Sequence, residues 1–470
     1  MILLLSSCLN PLIDSDMGNN MIKIIRMLSK DKYALGCSLV SIVIFLYYLS
    51  INFKINYYDE NGYVSISRSI LTEGLFAIYE PWRTYLYPLI ISFISIFTNG
   101  DIQLIKILMS IFQYIFYFYT VYLLGIKMYE FFKSQTIYYG ILFFGLLNPY
   151  LIQATTLFLT DLLAICCVLL ALINVVFGDF SKSRTYFLIF IFAYAGAMIR
   201  PSAVVFIPIV VLLIIIRKFI IKDVHTLKSI IASVSSLIIF FPQLHNNVKQ
   251  FNDWTPLLHG DLYEFQSNLA AFNLKYGTVV IPNETPQLFF PSPHAVEGST
   301  IGIFDLLLTD FPAFLTAYFS HLFGVLDWGY IETYINDYYP VSRIIGSLLL
   351  YLFWIVAFYG GYRFIKDKTG VSERFLAVSF IGSFVLYWGF IGTTIIESRF
   401  GYPLYMLLLP FAGWGIQYFP NYWKNRSISK SIKVKKTLSY SVICFLIIVA
   451  TFYLSFLLDY QTGRINWLGF

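Results

Sequence analysis

Ala34-Leu-Gly-Cys-Ser-Leu-Val-Ser-Ile-Val-Ile-Phe-Leu-Tyr-Tyr-Leu-Ser-Ile-Asn52 runs for nineteen residues without a charged side chain. A bilayer core about 30 Å thick needs about 20 such residues in helical form. Comparable blocks follow at Leu104–Leu124, Ile137–Ala154, Leu162–Phe177, Ser342–Tyr362 and Leu438–Leu458. Only 12% of the 470 residues are charged and 58% are hydrophobic, where a soluble domain carries about 25% charged residues. These features predict an all-α polytopic membrane protein with about eleven spans.

The net charge of +6 could suggest a nucleic-acid partner, but its distribution excludes that reading. Most Lys and Arg fall in six short segments: Lys23–Lys32, Lys127–Lys133, Lys182–Arg184, Arg217–Lys228, Arg363–Arg374 and Lys424–Lys436. They occupy every second connection between spans, as cytoplasmic loops do under the positive-inside rule. Fixing them inside predicts spans at 34–52, 103–124, 137–154, 161–178, 185–200, 201–217, 227–243, 341–362, 373–392, 400–418 and 437–457. Residues 1–33 are then a cytoplasmic segment, and 34–470 one transmembrane domain. Leu86–Thr98 has 13 residues and holds Pro88; too short to cross, it is expected to lie in the outer interface. Residues 53–102 then form a first exterior loop, and 244–340 a larger one, whose part Ile303–Leu326 is amphipathic enough to rest on the membrane.

Of five Cys, four lie in apolar blocks without metal-ligand or redox spacing and read as small core residues. The fifth, Cys8, follows Leu-Ser-Ser, but no basic stretch precedes it. Met17 or Met21 is the better start of translation. The five His show no ligand spacing, so no dedicated zinc site is expected.

Polar groups at membrane depth are costly and usually face a partner or cavity. On this topology Asp59, Glu60, Arg68, Glu80, Arg83, Asp101, Asp161, Arg200, Glu397 and Arg399 all gather at the exterior face. Several separate connections supply them, which suggests a shared site. Each also has a plainer reading. Asp59 would sit in a first helical turn, with Tyr63 and Ile66 on its stripe, where the helix dipole favours a carboxylate. Thr160 or Asp161 could cap a helix, Arg200 could balance a helix C-terminus before Pro201, and Glu397 with Arg399 could be an exposed ion pair of little worth. Spacing alone leaves these alternatives open.

The stretch Asp59-Glu60-x-x-Tyr63-x-x-Ile66-Ser67-Arg68-x-x-Leu71 resembles the first-loop motif of the GT-C glycosyltransferases. The likeness is to the branch with the lipid A aminoarabinose transferases and protein O-mannosyltransferases. Tyr79-Glu80-Pro81, Tyr87-Pro88, Leu159-Thr160-Asp161, Ile199-Arg200-Pro201 and Glu397-Ser398-Arg399-Phe400-x-Tyr402-Pro403 resemble later motifs in the same order. The resemblance covers about residues 34–418. It implies an inverting transferase in the plasma membrane of a bacterium. The donor would be a polyprenyl-phosphate sugar, and the acceptor an envelope glycan, lipid or protein hydroxyl on the exterior side. Asp59 would be the base, with Glu60 beside it in the catalytic pair. Tyr63, Arg83, Asp161, Arg200, Glu397 and Arg399 would bind substrate. A divalent cation held by Asp59 and Asp161 stays open. Asn61-Gly62 stands where the aminoarabinose transferases carry a basic residue, and Pro81 follows Glu80 where they carry Lys, so Arg83 is the candidate replacement. A transporter or flippase of lipid-linked saccharides, or a polymerase or ligase, is the competing class; a transporter would place charges or broken helices near mid-bilayer.

Overall fold

The computed structural model describes residues 31–54, 58–272, 301–327, 340–424 and 430–461. The expectations for residues 1–30, Cys8, Met17 and Met21 lie outside them. Among the described residues the chain is helical, without strands. Helix α1 (Lys32–Asn52) is the span read first from sequence. Helices α2 (Tyr58–Glu73) and α3 (Leu86–Thr98) follow before α4 (Ile102–Phe132). Asn99 and Gly100 turn the chain in the left-handed region, and Asp101 then caps α4 by accepting from the backbone N–H groups of Gln103 and Leu104.

The span expected at 137–154 is two helices, α5 (Gln135–Leu146) and α6 (Pro149–Ala154). The break comes at Asn148, whose side chain caps α6 ahead of Pro149, the residue suited to a first helical turn. Helices α7 (Asp161–Phe177) and α8 (Ser183–Ile199) come next. A 3₁₀ turn at Pro201–Val205 leads into α9 (Phe206–Ile220). Helix α10 (Thr226–Ser236) continues through a second 3₁₀ turn, Leu237–Phe240, into α11 (Phe241–Phe251). The segment 244–251, expected as the start of the larger exterior loop, is therefore helical. Pro242 sits in the first turn of α11, where its missing N–H costs nothing, so it continues the helical run instead of ending it. That loop holds α12 (Leu262–Phe272), α13 (Ile303–Thr309) and α14 (Phe311–Gly324). The last four helices are α15 (Pro340–Asp367), α16 (Val371–Ile391), α17 (Tyr402–Lys424) and α18 (Lys430–Gln461).

Among the described residues seven helical runs are long and apolar enough to cross a bilayer, and the shorter apolar α5, α7 and α8 with α17 accompany them. The core is built around α7, buried at nearly every position from Asp161 to Val176, and around α17, which packs on α5, α7, α15 and α16. Small residues allow that approach. A Cβ on Gly360 of α15 would strike the Phe411 carbonyl of α17, and one on Gly415 would strike the Val356 carbonyl. Between α5 and α17, a Cβ on Gly140 would lie 2.8 Å from the Cα of Gly413. Without a hydrophobic force between helices in lipid, such close backbone packing is what holds them. Gly360→Leu is expected to lower stability by about 1–3 kcal/mol or more through overpacking, read as a fall in the melting temperature of the detergent-purified protein. By contrast α1 and α18 turn most of their apolar side chains outward, as lipid-facing helices do.

Candidate active site

Both acids of the first-loop pair lie in the opening turn of α2, and the helix aims them apart. Asp59, Gly62 and Tyr63 fall on one face at i, i+3 and i+4, and that face seats Arg83. Arg83 Nη2 lies 3.3 Å from Asp59 Oδ1, and its guanidinium stands 5.4 Å over the Tyr63 ring. A Cβ at Gly62 would come within 2.8 Å of Arg83 Cζ. The departure at Asn61-Gly62 thus has a structural counterpart: a bare position on α2 lets a cation from the following loop reach Asp59. Gly62→Val is expected to displace Arg83 while preserving the fold, because the flexible guanidinium end can move. A partly exposed pair of this kind is worth about 1 kcal/mol or less, so the check is a melting temperature of the purified variant close to the parent's.

The other oxygen of Asp59 meets Arg399, whose Nη2 is 3.0 Å from Oδ2. Arg399 also forks onto Glu397, Nε to Oε2 at 2.6 Å and Nη2 to Oε1 at 3.0 Å. These residues stand in the connection between α16 and α17, where a short 3₁₀ turn at Ser398–Gly401 presents Arg399. Burial pushes the Glu397 carboxyl up from the usual carboxylate range; Arg399 opposes this, and Asp59 and Asp161 add to the rise. Glu397 therefore lies within the field of both other acids.

Asp161 opens α7 and is almost wholly buried. Its partner is the guanidinium of Arg200, the residue that ends α8. Arg200 also donates from Nε to Ser202 Oγ at 2.7 Å and stacks 4.7 Å from the Phe400 ring. A narrow crevice lies between Asp161, Arg200, Ser202, Tyr387 and Pro403. Phe400, which follows Arg399, faces Arg200 and so links the two halves of the cluster.

Glu60 points the other way. Its Oε2 lies 2.7 Å from Lys106 Nζ on α4, and its Oε1 accepts the Phe158 N–H at 2.8 Å. Both side chains of the pair are sealed from solvent, at 1% and 0% exposure. Two turns along α4, Gln113 donates to the carbonyls of Thr155 and Leu157 and accepts from the Tyr87 hydroxyl. Together Lys106 and Gln113 clamp the segment that leads into Asp161. Lys106 and Gln113 are absent from the sequence-level site. The available signal was a lone Lys within the apolar block Leu104–Leu124, since an ionisable residue inside a span normally has a named partner.

Seven of the ten expected exterior residues are thus joined: Asp59, Arg83, Arg399, Glu397, Asp161 and Arg200 around one locality, with Glu60 beneath it. Three are not. Arg68 is exposed on α2, Glu80 accepts from the Trp82 N–H, and Asp101 caps α4. The cluster members stand at helix ends and connections on one end of the bundle, and the basic residues Lys127, Lys182, Arg217 and Arg363 lie toward the other. Among the described residues no group of three or more His, Cys, Asp or Glu is placed to hold a metal ion. Asp59 and Asp161 are each engaged by guanidinium groups in this arrangement.

No protein-family model matches the chain, and no curated protein sequence matches it. Solved structures are similar in backbone arrangement. The oligosaccharyltransferase of Archaeoglobus fulgidus tethered to an acceptor peptide superposes with TM-score 0.46 and 13% identity, over 93% of this chain and 56% of that one. The same organism's oligosaccharyltransferase with an inhibitory peptide and a dolichol-phosphate gives 0.42 and 13%, over 92% and 56%. Its complex with zinc and sulfate gives 0.45 and 12%, over 92% and 53%. The chain spans little more than half the length of these structures.

Proposed function

We propose that this chain is a membrane glycosyltransferase of the GT-C class, with Asp59 as its general base and its site on the exterior face. The donor would be a sugar on a polyprenyl phosphate and the acceptor a hydroxyl of an envelope glycan, lipid or protein. The observation that carries the reading is the seating of Asp59 between Arg83 and Arg399 at the membrane-edge end of the bundle. A donor phosphate entering between those guanidinium groups competes with the carboxylate for both. Arg in fork geometry favours phosphate strongly, so donor binding frees the carboxylate to face the acceptor. Asp59 then takes the hydroxyl proton as the acceptor oxygen attacks the anomeric carbon. The anomeric C–O bond breaks with its electron pair leaving on the lipid phosphate, where the guanidinium groups meet the developing charge. Direct displacement inverts the anomeric centre. Phosphate is already a good leaving group, so no second carboxylate is required as acid, unlike the paired acids of glycoside hydrolases. Glu60 is sealed against Lys106, which supports a positioning role for it and leaves the base to Asp59 alone.

The test is transfer in proteoliposomes supplied with defined polyprenyl-phosphate sugars, with products read by mass spectrometry. Arg83→Gln and Arg399→Gln are each expected to raise KM for the donor about tenfold or more, given about 1.5–3 kcal/mol for a charged hydrogen bond. Movement of intact lipid-linked saccharide across the bilayer without bond cleavage would establish the transporter class instead. Use of a lipid-pyrophosphate oligosaccharide in place of a monosaccharide phosphate would establish the polymerase or ligase class.

A further inference from the structure

At the opposite end of the bundle from the acidic cluster, a cavity of about 250 Å³ opens between α4, α7 and α8. Its two ends differ in chemistry. The mouth holds Lys127, Lys182 and Arg184 with Asp179 among them, and Glu130 stands beside Lys127. The inner wall is apolar, with Leu170, Leu188 and Phe192 facing the space. From Tyr119 to Lys127 the α4 wall spans eight residues, about 12 Å at 1.5 Å per residue, and α7 and α8 run beside it. The space is therefore elongated along the helices, charged at the rim and greasy within. Neither rim pair is tight: Lys127 with Glu130 is 3.3 Å and Lys182 with Asp179 is 3.6 Å, all four side chains between 29% and 59% exposed. Such exposed pairs are weak and exchange readily for a stronger anion.

We propose that this cavity is a binding site for an anionic phospholipid, independent of the sugar-transfer site. The lipid phosphate would sit among Lys127, Lys182 and Arg184, and the top of one acyl chain would run down past Leu170 and Phe192. The cavity is too small for a whole phospholipid, so the remaining chain lies in the bilayer. Charge complementarity selects this occupant: basic pockets between spans on the positive side face the leaflet that carries anionic lipid. The site would tie α4, α7 and α8 together at their ends.

The experiment is native mass spectrometry of the full-length protein released from detergent after titration with dioleoylphosphatidylglycerol or dioleoylphosphatidylcholine. One phosphatidylglycerol is expected to persist at collision energies that strip phosphatidylcholine, with at least a tenfold preference. K127Q/K182Q/R184Q should abolish that preference, and Ile173→Trp, which fills the cavity and keeps every charge, should abolish retention as well. Inorganic phosphate at millimolar concentration should not displace the lipid, because it supplies no chain. Equal retention of the two lipids would overturn the proposal. So would unchanged retention by both variants, or full displacement by inorganic phosphate. If either variant fails to fold, loss of phosphatidylglycerol retention by the parent protein in 1 M ammonium acetate serves instead, since Debye screening at that salt reaches about 3 Å.

Discussion

Asp59→Asn is expected to lower kcat for sugar transfer by about 100- to 10,000-fold, the range for removing a positioned general base. The fold should hold. Asp59 is a quarter exposed and its partners Arg83 and Arg399 are partly exposed, and removing such pairs costs about 1 kcal/mol or less. Two further readouts separate a base from a mere anchor for the arginines. Donor affinity should stay level or tighten, because the amide competes for Arg83 and Arg399 less well than a carboxylate does. The acidic limb of the rate-against-pH profile should vanish along with the activity. Full transfer by the purified variant would refute the assignment of Asp59.

The largest stability effect is expected at the pair beneath the site. Lys106→Met takes the Lys106 charge away from the buried Glu60 carboxylate, whose other oxygen accepts the Phe158 N–H. Breaking a buried pair from one side typically costs about 3–5 kcal/mol, enough to deplete folded protein in the membrane. The double variant Glu60→Gln, Lys106→Met should recover most of the loss, since it buries no charge. The recovered double variant should still transfer sugar, more slowly, because the introduced amide oxygen still accepts the Phe158 N–H while Asp161 is held less firmly. A double variant as unstable as Lys106→Met would show that the pair's packing and not its charge is what matters. A double variant with no transfer at all would move Glu60 into the reaction itself.

Sequence pattern carried the helices well where the apolar run was uninterrupted, as at Ala34–Asn52. It failed where a proline had two meanings. Pro149 splits one expected span, because Asn148 ahead of it can cap a new helix. Pro242, at the end of the span expected at 227–243, sits in the first turn of α11 and the helix runs on to Phe251. Hydropathy cannot tell these apart, because the outcome depends on which backbone N–H groups have other partners. The cluster was partly readable too. One-sided placement selected Asp59, Arg83, Asp161, Arg200, Glu397 and Arg399, and the fold brings them together; it also selected Arg68, Glu80 and Asp101, which stand apart. What no linear pattern carried was the direction of neighbouring side chains on one turn. Asp59 and Glu60 differ by about 100° around α2, which puts one toward the open face and the other against α4.

Helix α3 has one more consequence. It hides Tyr87, Ile91 and Ser95 against its neighbours and offers Phe93, Ile96 and Phe97 outward, each at least 60% exposed. On the proposed reading, this 13-residue rod with one greasy flank lies at the boundary between hydrocarbon and water, just behind the loop that carries Arg83. A lipid-borne reactant can then slide in sideways and never dissolve. Its turnover should track mole fraction within the membrane: diluting it with inert lipid slows the reaction, whereas doubling the buffer volume around the same vesicles changes nothing.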